Sequence, residues 1–300
     1  MELRVLQYFL AVAREQSISG AAESLHLSQP TLSTQLKAME DELGKQLLVR
    51  GTKGSRKVTL TEEGMLLRKR AEEILQLVKK TEDEITFSNE TIAGNVFIGA
   101  AETNGVRHLI KAQHKLKEKN PLVYFHMQSG DKNDILEFLD RGLIDFGLVM
   151  GEVDTSKYEC IEIPYRDTWG VLMRKDSPLA QKEYIEPEDL WDKPLIFSRQ
   201  ECYAGTLLPW FRKERDKLNK ISVYSLLFNG SLMVEEGLGY AICLDKIINT
   251  SGDSKLCFRP LYPKVEIGMH VVWKRYQFFS KAAAKYLEVL KNSNLSELNI

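Results

Sequence analysis

Apolar positions in the first part of the chain recur with a helical period. Over residues 3–15 they fall at Leu3, Leu6, Phe9, Leu10 and Ala13, the spacing of one buried helical face. The stripe returns at Ile18, Ala21, Ala22 and Leu25, and again at Leu32, Leu36, Met39 and Leu43. This predicts a helix, a second short helix, a connection at His26-Leu27 and a third, longer helix. Ser28 stands where an N-cap belongs, and Pro30 falls in the first turn, where its missing N–H costs little. The period then changes. Residues 47–50 and 57–60 read as two short strands, with Gly51, Gly54 and Ser55 in the loop between them. Thr61 then caps a long helix with Glu62 and Glu63 in its first turn, where the helix dipole favours acids. Its apolar line runs Leu67, Ala71, Ile74, Val78, Thr81, Ile85, which is heptad spacing. At 1.5 Å per residue the helix is roughly 40 Å long.

Past residues 91–94 strands alternate with helices. A strand at 95–100, a helix from about 105 to 119, a strand at 122–128, a helix at 134–141 and a strand at 145–150 make β-α-β-α-β, a parallel sheet. A second set follows: strands near 158–163 and 169–174, a helix starting at Pro187, a strand at 195–198, a helix over 205–218 and a strand at 222–227. It ends with a helix over 231–236 stopped by Gly237, strands at 240–244, 256–261 and 266–274, and a closing helix at 278–291. Two α/β units joined by crossing strands predict two lobes with a cleft. Ligands in such sheets sit beyond the carboxyl ends of strands, near helix N-termini. The expected division is a winged helix-turn-helix over 1–60, a linker and dimerisation helix over 61–90, and a ligand-binding domain over 91–300. Its first lobe would comprise about 91–162 and 266–300, its second about 163–265.

Charge sharpens the picture locally. The net formal charge is −1, so there is no global basic field. Yet Lys45, Arg50, Lys53, Arg56 and Lys57 lie between Leu43 and Leu60 with no acid among them, whereas residues 61–90 are net −3. A basic hairpin beside a helix pair suits contact with a phosphate backbone. On the third helix, the face opposite Leu32, Leu36 and Met39 holds Pro30, Thr34 and Lys37, flanked by Ser33, with Gln29 and Thr31 at its N-terminal end. Those side chains are short and polar, as close approach to base edges requires; a solvated face would carry more Glu/Lys pairs. The seam Leu67, Ile74, Val78 and Ile85 calls for a partner, and two DNA half-sites call for two readers.

The cysteines, Cys160, Cys202, Cys243 and Cys257, make neither CxxC nor metal spacing, and reduced thiols are the default. The five histidines show no ligand spacing. No GxSxG, P-loop or dinucleotide fingerprint is present. No metal or cofactor and no enzymatic activity are expected. No apolar run approaches a membrane span and the amphipathic start lacks a signal-peptide pattern, so a cytoplasmic protein is expected.

Ala21, Ala22, Leu25, Ser28, Gln29, Pro30, Ser33, Gln35, Leu36, Glu40, Leu43, Gly44 and Leu47, followed by Leu60, Thr61 and Gly64, form a dense pattern. It resembles the opening of LysR-type transcriptional regulators, and MVEEGLGYAIC at 233–243 resembles a segment of their second domain. The resemblance implies a mainly α winged helix-turn-helix joined by a linker helix to an α/β, two-lobed domain like periplasmic binding proteins. It also implies double-stranded promoter DNA as partner, a homodimer or homotetramer, a small co-inducer, and RNA polymerase if the protein activates. The position after Ser33, frequently arginine in that family, is Thr34 here.

The residues expected at the groove are Gln29, Pro30, Thr31, Ser33, Thr34 and Lys37, and those at phosphates are Arg50, Lys53 and Arg56. The expected effector residues are Glu102, Thr103, Ser129, Gly130, Ser198, Arg199 and Asn229. By the resemblance, Thr103 and Ser129 match hydroxyl positions that hold anionic effectors. Glu102 is awkward for an anion. Either it points away, or the ligand carries donors such as an amine while Arg199 supplies the opposite charge. A small organic acid and an amino-acid-like metabolite both remain open. The alternative reading is a solute-binding or enzymatic α/β protein whose N-terminal helices serve assembly. Cys202, beside a cleft loop, is a candidate thiol switch, against the reading of an inert cysteine.

Overall fold

The computed structural model describes residues 1–50, 57–86, 92–204 and 207–297. The chain divides into two compact units, Met1–Thr86 and Phe87–Ile300.

In the first unit α1 (Leu3–Glu15), α2 (Ile18–Ser24) and α3 (Gln29–Leu43) precede the antiparallel pair β1 (Leu48–Arg50) and β2 (Val58–Leu60). A long helix, α4 (Glu62–Thr86), ends the unit. The caps at Ser28 and Thr61 are where the sequence puts them, and Ser17 supplies a further one. Ser17 and Ser28 accept from the backbone N–H groups of Gly20 and Thr31, and Thr61 from that of Gly64. Gly44 ends α3 at φ 62, a left-handed conformation that glycine adopts without strain.

Val5, Leu6, Phe9 and Val12 meet Ala21, Ala22, Leu32, Leu36 and Met39 in one core. Full burial of each large side chain contributes about 1.5–3 kcal/mol. Leu3 and Leu43, expected inside, are exposed because each lies at a helix end beyond the reach of that core. The heptad seam of α4 is divided. Ala71 is buried in the core and Leu67 and Ile74 pack against it, so the first half of the seam is used within its own unit. Val78 is half-buried and Ile85 is 70 % exposed.

Gly64 shows how tightly α4 joins the hairpin. A Cβ there would overlap the carbonyl oxygen of Leu47 and lie 3.1 Å from its carbon. That same oxygen accepts the Thr61 N–H at 3.0 Å. Gly64→Ala is expected to destabilise the first unit by about 1–3 kcal/mol, the range for overpacking against atoms that cannot yield. Urea denaturation would check it, and an unchanged midpoint would contradict the close approach.

The second unit is a nine-stranded sheet among the described residues, flanked by helices. Its first lobe contains β3 (Gly94–Ala100), α5 (Val106–Lys119), β4 (Val123–Ser129), α6 (Lys132–Asp140) and β5 (Phe146–Met150), with β3 parallel to both β4 and β5. One long strand, β6 (Tyr158–Arg174), runs from this lobe to the next. Two strands, near 158–163 and 169–174, were expected here; the residues between them, which include Pro164, belong to the same strand. The partner strand β11 (Glu266–Lys274) shifts register between Gly268 and His270, and that irregularity accommodates a proline unable to donate.

The second lobe holds β7 (Leu195–Ser198), α7 (Arg199–Ala204), α8 (Leu208–Phe211), β8 (Lys220–Tyr224), α9 (Leu227–Glu235), β9 (Tyr240–Leu244) and β10 (Leu256–Pro260). The closing helix α10 (Lys281–Glu297) packs on the first lobe beside α5 and β3.

Three helix expectations are corrected. Residues 187–190 form a 3-10 turn. The helix expected over 205–218 is broken, because Pro209 starts the short α8 and Arg212, at φ 51, ends it. The helix expected at 231 begins at Leu227, so Asn229 lies within α9 and not in a loop.

Candidate nucleic-acid interface and interlobe cavity

In the first unit, packing of Leu32, Leu36 and Met39 turns the opposite face of α3 outward. Gln29, Pro30, Thr31, Thr34 and Lys37 are exposed and Ser33 is half-buried. Thr31 is partly engaged, its hydroxyl 2.7 Å from that of Ser28. Arg50 on β1 is also exposed and reaches Glu40 at 3.4 Å. Lys53 and Arg56 lie outside the described residues.

Glu40 has a role that the sequence reading missed. Its Oε1 accepts the backbone N–H groups of Leu47 (2.7 Å) and Leu48 (3.0 Å), while Oε2 faces Arg50. One carboxylate on α3 therefore fixes the start of the hairpin against the helix. The signal in the sequence was a glutamate in a helical run that also belongs to the family pattern, with nothing to give its role. Its partners lie 7 to 10 residues away, beyond any helical or strand spacing.

In the second unit, an inner cavity of about 50 Å³ lies between the lobes, lined in part by Ala101, Glu102, Gly130, Trp169, Ser198 and Leu227. It shares Met150, Trp169, Ser198 and Gln200 with a wider outer groove of about 660 Å³. Among the described residues, polar contacts cross between the lobes beside these spaces. Glu102 Oε2 accepts the Leu227 N–H at the start of α9. Arg199 pairs with Asp131 at 2.7 Å and with Asp134. The Lys132 N–H reaches Gln200 Oε1 at 3.3 Å. Asp131 is the N-cap of α6, its Oδ1 accepting from Asn133 and Asp134.

Of the expected effector residues, Glu102, Gly130 and Ser198 line the inner cavity together. Arg199 is held in its ion pairs at the lobe junction. Thr103, Ser129 and Asn229 line neither space. Ser129 and Asn229 are exposed. Thr103 is buried, because its hydroxyl donates to Asp167 and accepts the Gly105 N–H at 2.9 Å. Sequence reasoning missed Trp169, Tyr224 and Leu227, since strands and a helix start remote in sequence bring them together.

Asp167 is fully buried, and its Oδ1 has no hydrogen-bond partner. Burial pushes its carboxyl up to about 6, against hydrogen bonds from Thr103 and Tyr165 that pull it down. Cys243 is buried in β9, and burial pushes its thiol, like that of Cys257, above the ordinary range. The Cys202 side chain lies outside the described residues. Among the described residues no group of three or more His, Cys, Asp or Glu could hold a metal ion. No described helix is long and apolar enough to cross a membrane.

The comparisons agree with this architecture. Residues 3–65 match the model of the bacterial regulatory helix-turn-helix protein, lysR family, and residues 89–294 match the LysR substrate binding domain. BsdA of Bacillus subtilis (strain 168), an HTH-type transcriptional regulator, is 38 % identical over 202 residues, 66 % of this chain and 67 % of the relative. The Hca operon transcriptional activator HcaR of Escherichia coli (strain K12) is 28 % identical over 92 % of both chains. A hydrogen peroxide-inducible genes activator of Pectobacterium carotovorum subsp. carotovorum is 32 % identical over 65 % of this chain. That match spans 64 % of the relative, just under two thirds of its length. The fold is that of full-length CbnR, whose crystal structure was determined with its target DNA. At a TM-score of 0.75 and 18 % identity, the likeness covers 98 % of this chain and all of that one. An outward-facing third helix beside a hairpin, a two-lobed second unit and family models over both thus lead to one assignment: the chain belongs to the LysR family of DNA-binding transcriptional regulators.

Proposed function

We propose that this regulator reads promoter DNA with the exposed face of α3 and responds to a small molecule bound between the lobes of its second unit. The observation that carries the reading is the face made by Gln29, Pro30, Thr31, Thr34 and Lys37, polar and outward while its opposite side is core. Gln29 has the amide that pairs with adenine, and Pro30 and Thr31 offer apolar contact to a thymine methyl. Ser33, at the edge of that face, and Lys37 reach towards the adjoining backbone. Arg50, with Lys53 and Arg56, serves the phosphates, and Thr34 leaves more of the affinity to them. Exposed Leu77 and Ile85, with half-buried Val78, offer the second half of α4 to another copy of the chain. A dimer supplies the two readers that two half-sites need. RNA polymerase is the further partner if the protein activates, and the cytoplasm is where such a protein works.

An electrophoretic shift with fragments of the protein's own upstream region tests the reading. Binding is expected to weaken steeply with salt. Gln29→Ala is expected to cost about 1–3 kcal/mol at one base position, whereas Lys53→Ala weakens all sequences alike and lowers the salt slope by about 1. Equal losses on every sequence for both variants would remove Gln29 from the groove. No salt-dependent shift on any fragment would leave the assembly alternative in its place.

A further inference from the structure

The charge balance of the inner cavity bears on what it can admit. Two of its lining side chains are acids, Glu102 and Asp131, and none is Lys, Arg or His. Asp131 is compensated by Arg199 at 2.7 Å and by the N-terminal N–H groups of α6. Glu102 is not. It is half-buried, its Oε2 receives one N–H, from Leu227, and its Oε1 has no partner among the described residues. Burial raises its pKa, with the Leu227 N–H pulling the other way. Oε1 is not among the described side-chain atoms buried without a partner, so it stays accessible and can be met by a cation entering the cavity.

An anionic ligand fares worse. The place a carboxylate would take, the N-terminus of α9, is already held by Glu102. A second carboxylate there would face the like charge of Glu102. The remaining walls are mostly apolar or aromatic, among them Met150, Trp169, Tyr224, Leu244 and Ile247. The small cavity has room for the charged end of a molecule; the wider groove has room for its body, with Met150, Trp169 and Ile267 as apolar walls beside Lys132, Glu152 and Glu201.

Resting on the interlobe effector reading above, we propose that the ligand is a small ammonium-bearing molecule with an apolar body, its cation set against Glu102 Oε1. The class is a primary amine or a close analogue, and not a simple carboxylic acid.

Thermal unfolding and calorimetric titration of the full chain with benzylamine, benzoate and benzamide at matched concentrations test this. The Glu102→Gln variant keeps an oxygen for the Leu227 N–H but removes the charge. Benzylamine is expected to raise the melting temperature of the wild-type protein, with affinity at least tenfold lower in Glu102→Gln and no response to benzoate. Ser225→Phe is a second variant at an exposed lining position, two residues before Leu227, that leaves Glu102 itself unchanged. It is expected to lower benzylamine affinity by narrowing the same space. Benzylamine binding unchanged in both variants would overturn the proposal. A response to benzoate or benzamide with benzylamine silent would overturn the cationic class while leaving an interlobe effector site standing. Silence of all three probes would overturn the cationic class and count against the interlobe site as well.

Discussion

Glu40→Ala is expected to detach the hairpin from α3 and, on the proposed reading of DNA by α3, to lower DNA affinity at least tenfold on every sequence. The carboxylate is the acceptor for two backbone donors, Leu47 N–H and Leu48 N–H, both partly buried. Alanine leaves both without that acceptor. A stranded donor costs about 1–3 kcal/mol when buried, so two in a partly wet position cost together roughly 2–4 kcal/mol. The ion pair to Arg50 adds little, because exposed pairs contribute about 0–1 kcal/mol. Glu40→Gln separates these contributions. It keeps an oxygen for the two N–H groups and loses only the charge facing Arg50, so its effect is expected to stay within about 1 kcal/mol. Hydrogen exchange at Leu47 and Leu48 is the direct measurement. Protection falls about 30-fold or more in Glu40→Ala and is nearly unchanged in Glu40→Gln. Equal protection in the alanine variant would mean that strand pairing alone holds the hairpin.

The contrast between Glu40 and Ser28 shows where sequence reading reaches and where it stops. Ser28 caps a helix three residues away, so the chemistry and the spacing appear together in the chain. Leu32, Leu36 and Met39 were likewise legible, because a helix converts spacing into a face. Glu40 belongs to the family pattern, but no local spacing gives its role, because its partners sit on a different element. The seam of α4 was half legible. Its period identified a helix needing a partner, but period cannot say whether the partner is another copy or the chain's own core, and Leu67, Ala71 and Ile74 took the core.

In the second unit the order of strands and helices was readable from alternating patterns. The start of α9 was not, because the carboxylate that caps it belongs to Glu102, 125 residues earlier. Thr103 had the right loop and the right chemistry for a ligand. It was turned inward by a buried acid 64 residues away. Of the residues expected at the effector site, Glu102, Gly130 and Ser198 line one cavity while Thr103, Ser129 and Asn229 do not, since loop position is local and side-chain direction is decided by packing.

That buried acid carries the other large expectation. Asp167→Asn is expected to remove a pH dependence from the stability of the second unit and to stabilise it near neutrality. Asp167 lies on β6 where the strand leaves β11 and enters its pairing with β9 and β10. Its carboxyl is raised from 3.8 to about 6, first by burial and further by the charge of Asp245. Thr103, Tyr165 and Lys246 act in the opposite direction. The sign follows from proton counting. Between about pH 4 and 6 the folded chain holds a proton that the unfolded chain has released, so this group's contribution falls as pH rises through that window. The penalty is complete above it. At 1.36 kcal/mol for each pH unit between the two values, the penalty is about 3 kcal/mol.

Asparagine removes the charge and keeps an oxygen for the Thr103 hydroxyl. Its NH2 takes the place of Oδ1, which has no partner now, and an unanswered donor offsets about 1–2 kcal/mol of the gain. The net gain at pH 7 is therefore roughly 1–2 kcal/mol. All four tryptophans, Trp169, Trp191, Trp210 and Trp273, belong to the second unit, so urea unfolding followed by their fluorescence reports on it. The wild-type protein should gain stability relative to Asp167→Asn as the pH is lowered from 7 to 4, the two curves converging and crossing. Parallel curves across that range would mean that Asp167 is ionised throughout, with its charge compensated where the strand passes between the lobes.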